Sequence, residues 1–244
     1  IDNIKTLLTA GNDTDQFTDT SFASLTGVTV SDETLDGSKL ADAIDQANSA
    51  TGDTSVVFTI SAANTIEGSE ANFTALLTDD GNNQIDIDDQ NISVSGTISV
   101  DNANLLDAAT LGTITASIDT DETVTELKTL TGTTHAYTIV IAAGDATSSS
   151  ASDLNTINEK TTEAINASAI TALTSDTIDN IKTLLTAGND TDQFTAASFG
   201  SLTAVTVSDG TLDGSKLADA IDEANEATGD TSVEFDISAA NTIE

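Results

Sequence analysis

Apolar residues in this chain alternate between two patterns. In one they recur at helical spacing, as in Leu40, Ala43, Ile44 and Ala47, or Val124, Leu127 and Leu130, or Ile178, Ile181 and Leu184. Each such stretch is a narrow stripe that can bury one helix face. In the other, runs at 56–60, 92–100, 113–118, 137–141, 165–170 and 205–207 are rich in Val, Ile and Thr, the β-branched composition of short strands. Helix starts are marked by short polar residues able to accept bonds from the free amides of a first turn: Ser152 and Asp153, Ser175 and Asp176, and Thr123 with Glu126 three residues on. Gly11, Gly52, Gly81, Gly112, Gly132, Gly188 and Gly229 follow the helix-like stretches, which predicts left-handed caps, because glycine bears no Cβ penalty there. One boundary, near Thr161 and Thr162, has no glycine.

The resulting order is strand, polar turn, helix, glycine, strand. Strands joined through helices are naturally parallel, and such crossovers are right-handed.

Self-comparison adds a longer period. Residues 1–67 return at 178–244, an offset of 177, with nine differences: Asp19/Ala196, Thr20/Ala197, Ala23/Gly200, Gly27/Ala204, Glu33/Gly210, Gln46/Glu223, Ser49/Glu226, Val57/Glu234 and Thr59/Asp236. Most read as solvent-face changes. The expected fold class is α/β, an elongated right-handed solenoid of short parallel strands alternating with short helices, in which each unit contacts only its neighbours. Residues 1–177 are expected to form one long repeat of about seven strand–helix units, and 178–244 the start of the next copy. A window cut from a longer tandem array is the simpler origin, and a subunit with duplicated ends the alternative. The absence of methionine likewise predicts an excerpt or a processed piece. Residues 79–96, DDGNNQIDIDDQNISVSG, predict an acidic loop or hairpin projecting from the stack.

Composition removes whole classes of function. The 244 residues carry 41 acidic side chains against 6 lysines and no arginine, a net charge of −35. That excludes nucleic-acid binding, which needs clustered basic residues, and argues against adhesion to anionic lipid. Cysteine, proline and tryptophan are absent too, and aromatics are 3% of the chain, so no disulfide, thiolate nucleophile or zinc–thiolate site exists. No run reaches the apolar length of a membrane span. The 38% hydrophobic content suffices for a thin core, and the periodicity argues against the disorder that high charge otherwise signals.

The candidate chemistry is sparse. His135, in TGTTHAYTIV, is the only histidine, so it can build neither a triad nor a metal cluster by itself. No G-x-S-x-G elbow is present. The chain is therefore expected not to be an enzyme. Hard oxygen ligands suited to Ca²⁺ do gather on loops. The expected ligands are Asp13 and Asp15 in Asn12-Asp13-Thr14-Asp15, Asp79 and Asp80 before Gly81, and Asp86, Asp88 and Asp89. These runs match neither the EF-hand spacing nor the glycine-rich nonapeptide of calcium β-rolls, and their other reading is solvated acidic turns. A saline medium would relieve much of the repulsion. Lys5 and its copy Lys182 are expected in surface ion pairs. Asn12, Asn72, Asn91, Asn166 and Asn189 stand in N-x-S/T triplets, which makes glycan attachment chemically accessible.

The stretch 151–178, ASDLNTINEKTTEAINASAITALTSDTI, resembles the repeats of giant, acidic, cysteine-free cell-surface proteins of marine cyanobacteria and other aquatic bacteria, and 97–129 looks like a variant of the same theme. That family includes a swimming-associated surface protein and large repeat adhesins. The resemblance implies secretion, an extracellular or cell-surface location and a structural role, and carries over no catalytic residue. The expected function is a filament, fibre or cell-surface coat built by self-association with identical chains or neighbouring repeats. The alternative is the spacer or stalk of a calcium-dependent adhesin whose binding module lies outside this window.

Overall fold

The computed structural model describes residues 1–13, 15–16, 21–52, 56–60, 65–142, 148–229 and 232–244. The chain forms two compact units, Ile1–Ala116 and Ser117–Glu244. The first runs α1 (Asp2–Gly11), β1 (Gly27–Val30), β2 (Thr34–Asp36), α2 (Gly37–Thr51), β3 (Val57–Ile60), β4 (Thr65–Ser69), α3 (Glu70–Gly81), β5 (Asn91–Ile98) and α4 (Val100–Ala109), and β6 (Ile114–Ile118) spans the boundary. The second runs α5 (Val124–Leu127), β7 (Ala136–Thr138), β8 (Ser148–Ser149), α6 (Ala151–Asn158), β9 (Ala172–Asp176), α7 (Ile178–Gly188), β10 (Ala204–Val207), β11 (Thr211–Leu212), α8 (Gly214–Thr228), β12 (Glu234–Asp236) and β13 (Thr242–Ile243). Residues 1–177 thus contain six helices, α1 to α6, among the described residues.

The ladders β1–β3, β2–β4 and β4–β5 in the first unit, and β8–β9, β9–β10, β10–β12 and β11–β13 in the second, are all parallel. The chain is a mixed α/β protein of parallel strands alternating with helices, and no sheet closes into a barrel among the described residues. Within each unit the helices pack in chain order, α1 on α2 on α3 on α4, and α5 on α6 on α7 on α8. The core lies between helices and strands. Leu35, Ile66 and Ile92 stand in register across β2, β4 and β5, each at most 1% exposed.

Helices begin where an acceptor side chain can hold the first turn. Asp36 takes the amides of Ser38 and Lys39, and Ser69, Ser99, Thr123, Ser150 and Thr177 each accept from the residue three positions on. Thr123 and Glu126 form the expected capping box. For α6 the cap is Ser150, two residues before the expected Ser152, because its Oγ reaches the amide of Asp153.

The glycines divide into two roles. Gly52 and Gly229 are left-handed caps, φ 67° and 63°. Gly11, Gly81 and Gly188 instead end their helices in ordinary backbone, followed by Asn12, Asn82 and Asn189 as caps. Gly188 is required for space: a Cβ there would sit 2.7 Å from Phe199 Cδ2, and one at Gly112 would sit 2.3 Å from the Gln90 carbonyl oxygen. Two further expectations change. Of 165–170 only Ile165 and Asn166 make bridges, and the regular strand is β9. Residues 79–96 do not form a projecting hairpin. They end α3, turn inward through buried Ile85 and Ile87, and become β5, since two isoleucines at alternate positions gain more by joining the core than by standing in water.

The two sequence copies fold alike. Lys5–Asp42 and Lys39–Asp2 in the first are reproduced as Lys182–Asp219 and Lys216–Asp179 in the second. Asn12 donates to Gln46 and Asn189 to Glu223, both at 2.7 Å, so an acid replaces an amide without losing the acceptor. Asp19 and Thr20 lie outside the described residues, and none of the other seven differing positions is buried in either copy. Burial of the shared residues nevertheless differs. Helix α7, with α6 against it, buries Ile178, Ile181, Leu184, Leu185 and Ala187, whereas α1 buries only Leu8 and leaves Leu7 51% exposed. Helix α2, between α1 and α3, buries Leu40, Ala43, Ile44 and Ala47, while α8 buries Ala220 and Ala224.

Leu184→Ala is therefore expected to destabilise its unit by about 2–5 kcal/mol, and the same change at the sequence-equivalent Leu7 to stay within about 0.5 kcal/mol. Urea denaturation of the two variants checks this, and equal losses would contradict it.

Candidate functional site

The acidic turn between α3 and β5 is shaped by its apolar residues. Asn83 takes a left-handed backbone, φ 57°, a conformation asparagine tolerates better than most residues. The chain reverses there, with the Asn83 amide on the Asp80 carbonyl at 2.8 Å and the Gln84 amide on that of Asp79 at 2.9 Å. Ile85 bridges Phe58 in parallel, and Ile87 is fully buried. With Ile85 and Ile87 held inward, Asp86 and Asp88 are exposed, and Asp80 meets them from the end of α3. Each of the three carboxylates places an oxygen within 4.8 Å of the other two.

The electrostatics of this turn are unfavourable. Partial burial raises the Asp80 carboxyl, the Ile87 amide opposes that, and the charges of Asp88 and Asp86 raise it further. Asp79, half-buried beside α2, is pushed up to about 6, first by burial and then by Asp45. Both acids also sit in the last turn of α3, where the helix dipole disfavours negative charge. Gln90, two residues past Asp88, is 9% exposed and its Oε1 has no hydrogen-bond partner among the described residues.

Of the seven expected metal ligands, the structure brings together Asp80, Asp86 and Asp88. Asp79 faces Asp45 instead, and Asp89 is exposed outside the cluster. Asp13 has both oxygens engaged, accepting the Asp15 amide at 2.9 Å and Gln16 Nε2 at 3.0 Å, bonds that hold its carboxyl below the usual range. Asp190 repeats that turn with Asp192 and Gln193. Thr14, between Asp13 and Asp15, lies outside the described residues.

Comparison with protein-family models, curated proteins and solved structures finds no match. The roles of the remaining residues rest on their geometry. His135 is buried, its ring 5.3 Å from that of Tyr137. Among the N-x-S/T asparagines, Asn12 and Asn189 donate their amide nitrogens to Gln46 and Glu223. Asn72, Asn91 and Asn166 accept through Oδ1 from Ser69, Thr113 and Ser168. The grooves beside α1 and between α6 and α7 are shallow, open surface features. One of about 510 Å³ lies between α6 and α7, lined by Asn155, Asn158, Lys182, Thr186 and Gln193.

Sequence reasoning missed the bonds by which certain acids tie one strand–helix segment to the next; it read Asp176 only as a mark of the α7 start, whose cap is Thr177. Glu70 of α3 accepts from the Ser99 amide, Ser99 Oγ and Asn102 Nδ2 at the start of α4, with Asn102 chiefly holding its carboxyl low. Asp176 accepts from the Ser152 amide on α6 and from Thr177 and Asn180 on α7. Burial works against its charge, and these bonds together keep its carboxyl below the usual range. Asp209 accepts from the Ile178 amide at 2.7 Å. Each places a negative charge at a helix start, where the dipole favours it. The partners in a neighbouring segment stand 24 to 32 residues away, so no local pattern announces them.

The raised Asp79 carboxyl gives a signed pH effect. Because its folded value lies above the unfolded one, this group favours the folded state increasingly as pH falls from about 7 toward 4. Asp79→Asn is expected to be more stable than the parent at pH 7.5 by roughly 1 kcal/mol, a figure reduced for solvent screening, with the gap closing near pH 4. Urea midpoints at the two pH values measure it, and a constant gap would contradict the assignment.

Proposed function

We propose that this chain is a structural repeat protein of the cell exterior, with its strand–helix segments stacked as a right-handed solenoid into part of a filament, fibre or coat, and with no reaction of its own. The supporting observation is that the same sequence, placed twice, folds alike down to its ion pairs and completes its core only where the next segment lies against it. Such a segment has no purpose alone, and its natural use is extension by repetition. Its partners are identical chains or neighbouring repeats. The resemblance of 151–178 to giant acidic surface proteins points the same way. A net charge of −35 is tolerable where salt shortens the screening length to a few ångströms.

Antibody raised against the chain should label intact, unpermeabilised cells of the organism that makes it. Labelling seen only after lysis would overturn the extracellular role.

The reading as spacer of a calcium-dependent adhesin is favoured by one observation, the Asp80–Asp86–Asp88 cluster. Ca²⁺ binds six to eight oxygens at about 2.3–2.6 Å, so carboxylate oxygens spaced like these can share one ion. Isothermal titration after chelation should then show Ca²⁺ binding that Asp88→Asn abolishes. No heat and an unchanged melting temperature would remove Ca²⁺ from the account.

A further inference from the structure

The five N-x-S/T triplets share a sequence signal, but the structure treats their asparagines differently. Attachment of a glycan needs a side-chain amide nitrogen that is free to react, on a surface segment outside regular structure that an enzyme can grip. Asn12 and Asn189 fail the first condition. Each donates Nδ2 twice to the neighbouring helix: Asn12 to Gln46 Oε1 at 2.7 Å and the Gln46 carbonyl at 3.2 Å, and Asn189 to Glu223 Oε2 and the Glu223 carbonyl at the same two distances. Asn72 and Asn91 fail the second. Asn72 lies in the first turn of α3, where it closes the capping box with Ser69, and Phe73 beside it is 1% exposed. Asn91 opens β5, a strand with β4 on one side and β6 on the other, and its Oδ1 takes the Thr113 amide.

Asn166 meets both conditions. Its backbone is engaged with the chain alongside, the amide donating to the Ile139 carbonyl at 3.0 Å and the carbonyl accepting from the Ile141 amide at 2.8 Å. Beyond this single bridge the chain leaves the ladder and turns through Ser168 and Ala169, outside any helix or strand. Ala167 is fully buried and donates its amide to Ser198 Oγ at 2.9 Å, which pins the turn. Asn166 Oδ1 accepts the Ser168 amide at 3.1 Å, an Asx turn. With Oδ1 occupied in this way, the end of the carboxamide left over is Nδ2, which makes no hydrogen bond among the described residues. Asn166 is half-buried, and Ser168, the hydroxyl residue of the triplet, is exposed.

We propose that Asn166 is the acceptor of an N-linked glycan, attached by a glycosyltransferase from a sugar carried on a pyrophosphate. The inference rests on the reading of the chain as a protein of the cell exterior, and adds to it a modification site and the class of donor. In the transfer, Nδ2 bonds to the anomeric carbon of the sugar as the bond from that carbon to the carrier oxygen breaks. The pyrophosphate leaves with the bonding electrons, and one Nδ2 proton passes to a base of the transferase. Both the reacting nitrogen and the exposed Ser168 stand on one pinned surface turn, so the triplet is presented without unfolding a helix or opening a ladder.

Trypsin isolates the site. The chain has six lysines and no arginine, so cleavage releases residues 161–182 as one peptide in which Asn166 is the only N-x-S/T asparagine, while Asn12, Asn189 and the pair Asn72 and Asn91 fall in three others. Mass spectrometry of the chain purified from the cells that make it should show the 161–182 peptide carrying a sugar mass and those three peptides unmodified. Ser168→Ala should abolish the modification with Asn166 still in place, and Ser168→Thr should retain it. Unchanged melting temperatures and antibody labelling of intact cells check that both variants fold and are exported. An unmodified 161–182 peptide overturns the proposal, as does equal occupancy at all five asparagines or a glycan that survives Ser168→Ala. Surface labelling is read separately, so an unmodified peptide from labelled cells leaves the extracellular role standing, and the two failures are distinguishable.

Discussion

Burial by a neighbour is the constraint on which this protein depends. One strand–helix segment has too little apolar surface to enclose itself, and its helix stripe is covered on both sides only when segments stand before and after it. The two copies show this directly. Leu7 and Leu184 occupy the same sequence context, yet one is 51% exposed and the other fully buried, and covering a leucine is worth roughly 1.5–3 kcal/mol. The burial of a segment is then set by the helices and strands that lie against it.

Charge serves registration more than cohesion. Four of the six lysines stand in the reciprocal pairs Lys5–Asp42, Lys39–Asp2, Lys182–Asp219 and Lys216–Asp179, all at the surface, where such pairs contribute little energy. Their reciprocity fixes how one helix lies along the next. The acids at helix starts do the same between other segments: Glu70, Asp176 and Asp209 each take an amide of a neighbouring helix. These seven acids are therefore structural. The exception is the end of α3, where Asp79 and Asp80 are raised by burial and by other acids, a local cost that the fold carries and that a cation would offset.

Much of the architecture was legible in the residues. The 177-residue offset, the alternation of helix and strand, the parallel pairing and the capping box at Thr123 all follow from local chemistry or from self-comparison, and the structure agrees. The glycines were legible only in part: Gly52 and Gly229 adopt the expected left-handed cap, whereas Gly112 and Gly188 answer to the Gln90 backbone and the Phe199 ring, which sequence distance conceals. Candidate ligands showed the same limit. Asp13 and Asp80 both read as acids on a polar loop, but Asp13 closes a local turn with Asp15 and Gln16, while Asp80 is carried to Asp86 and Asp88 by a chain reversal at Asn83.

By itself the sequence determined the kind of segment and its repetition, because propensity and capping act over a few residues and need no neighbour. Only the tertiary structure decided which leucines are core, which acids are staples and which three carboxylates share a turn. Those outcomes depend on what lies across the next strand or helix, and two identical stretches of chain are given different neighbours.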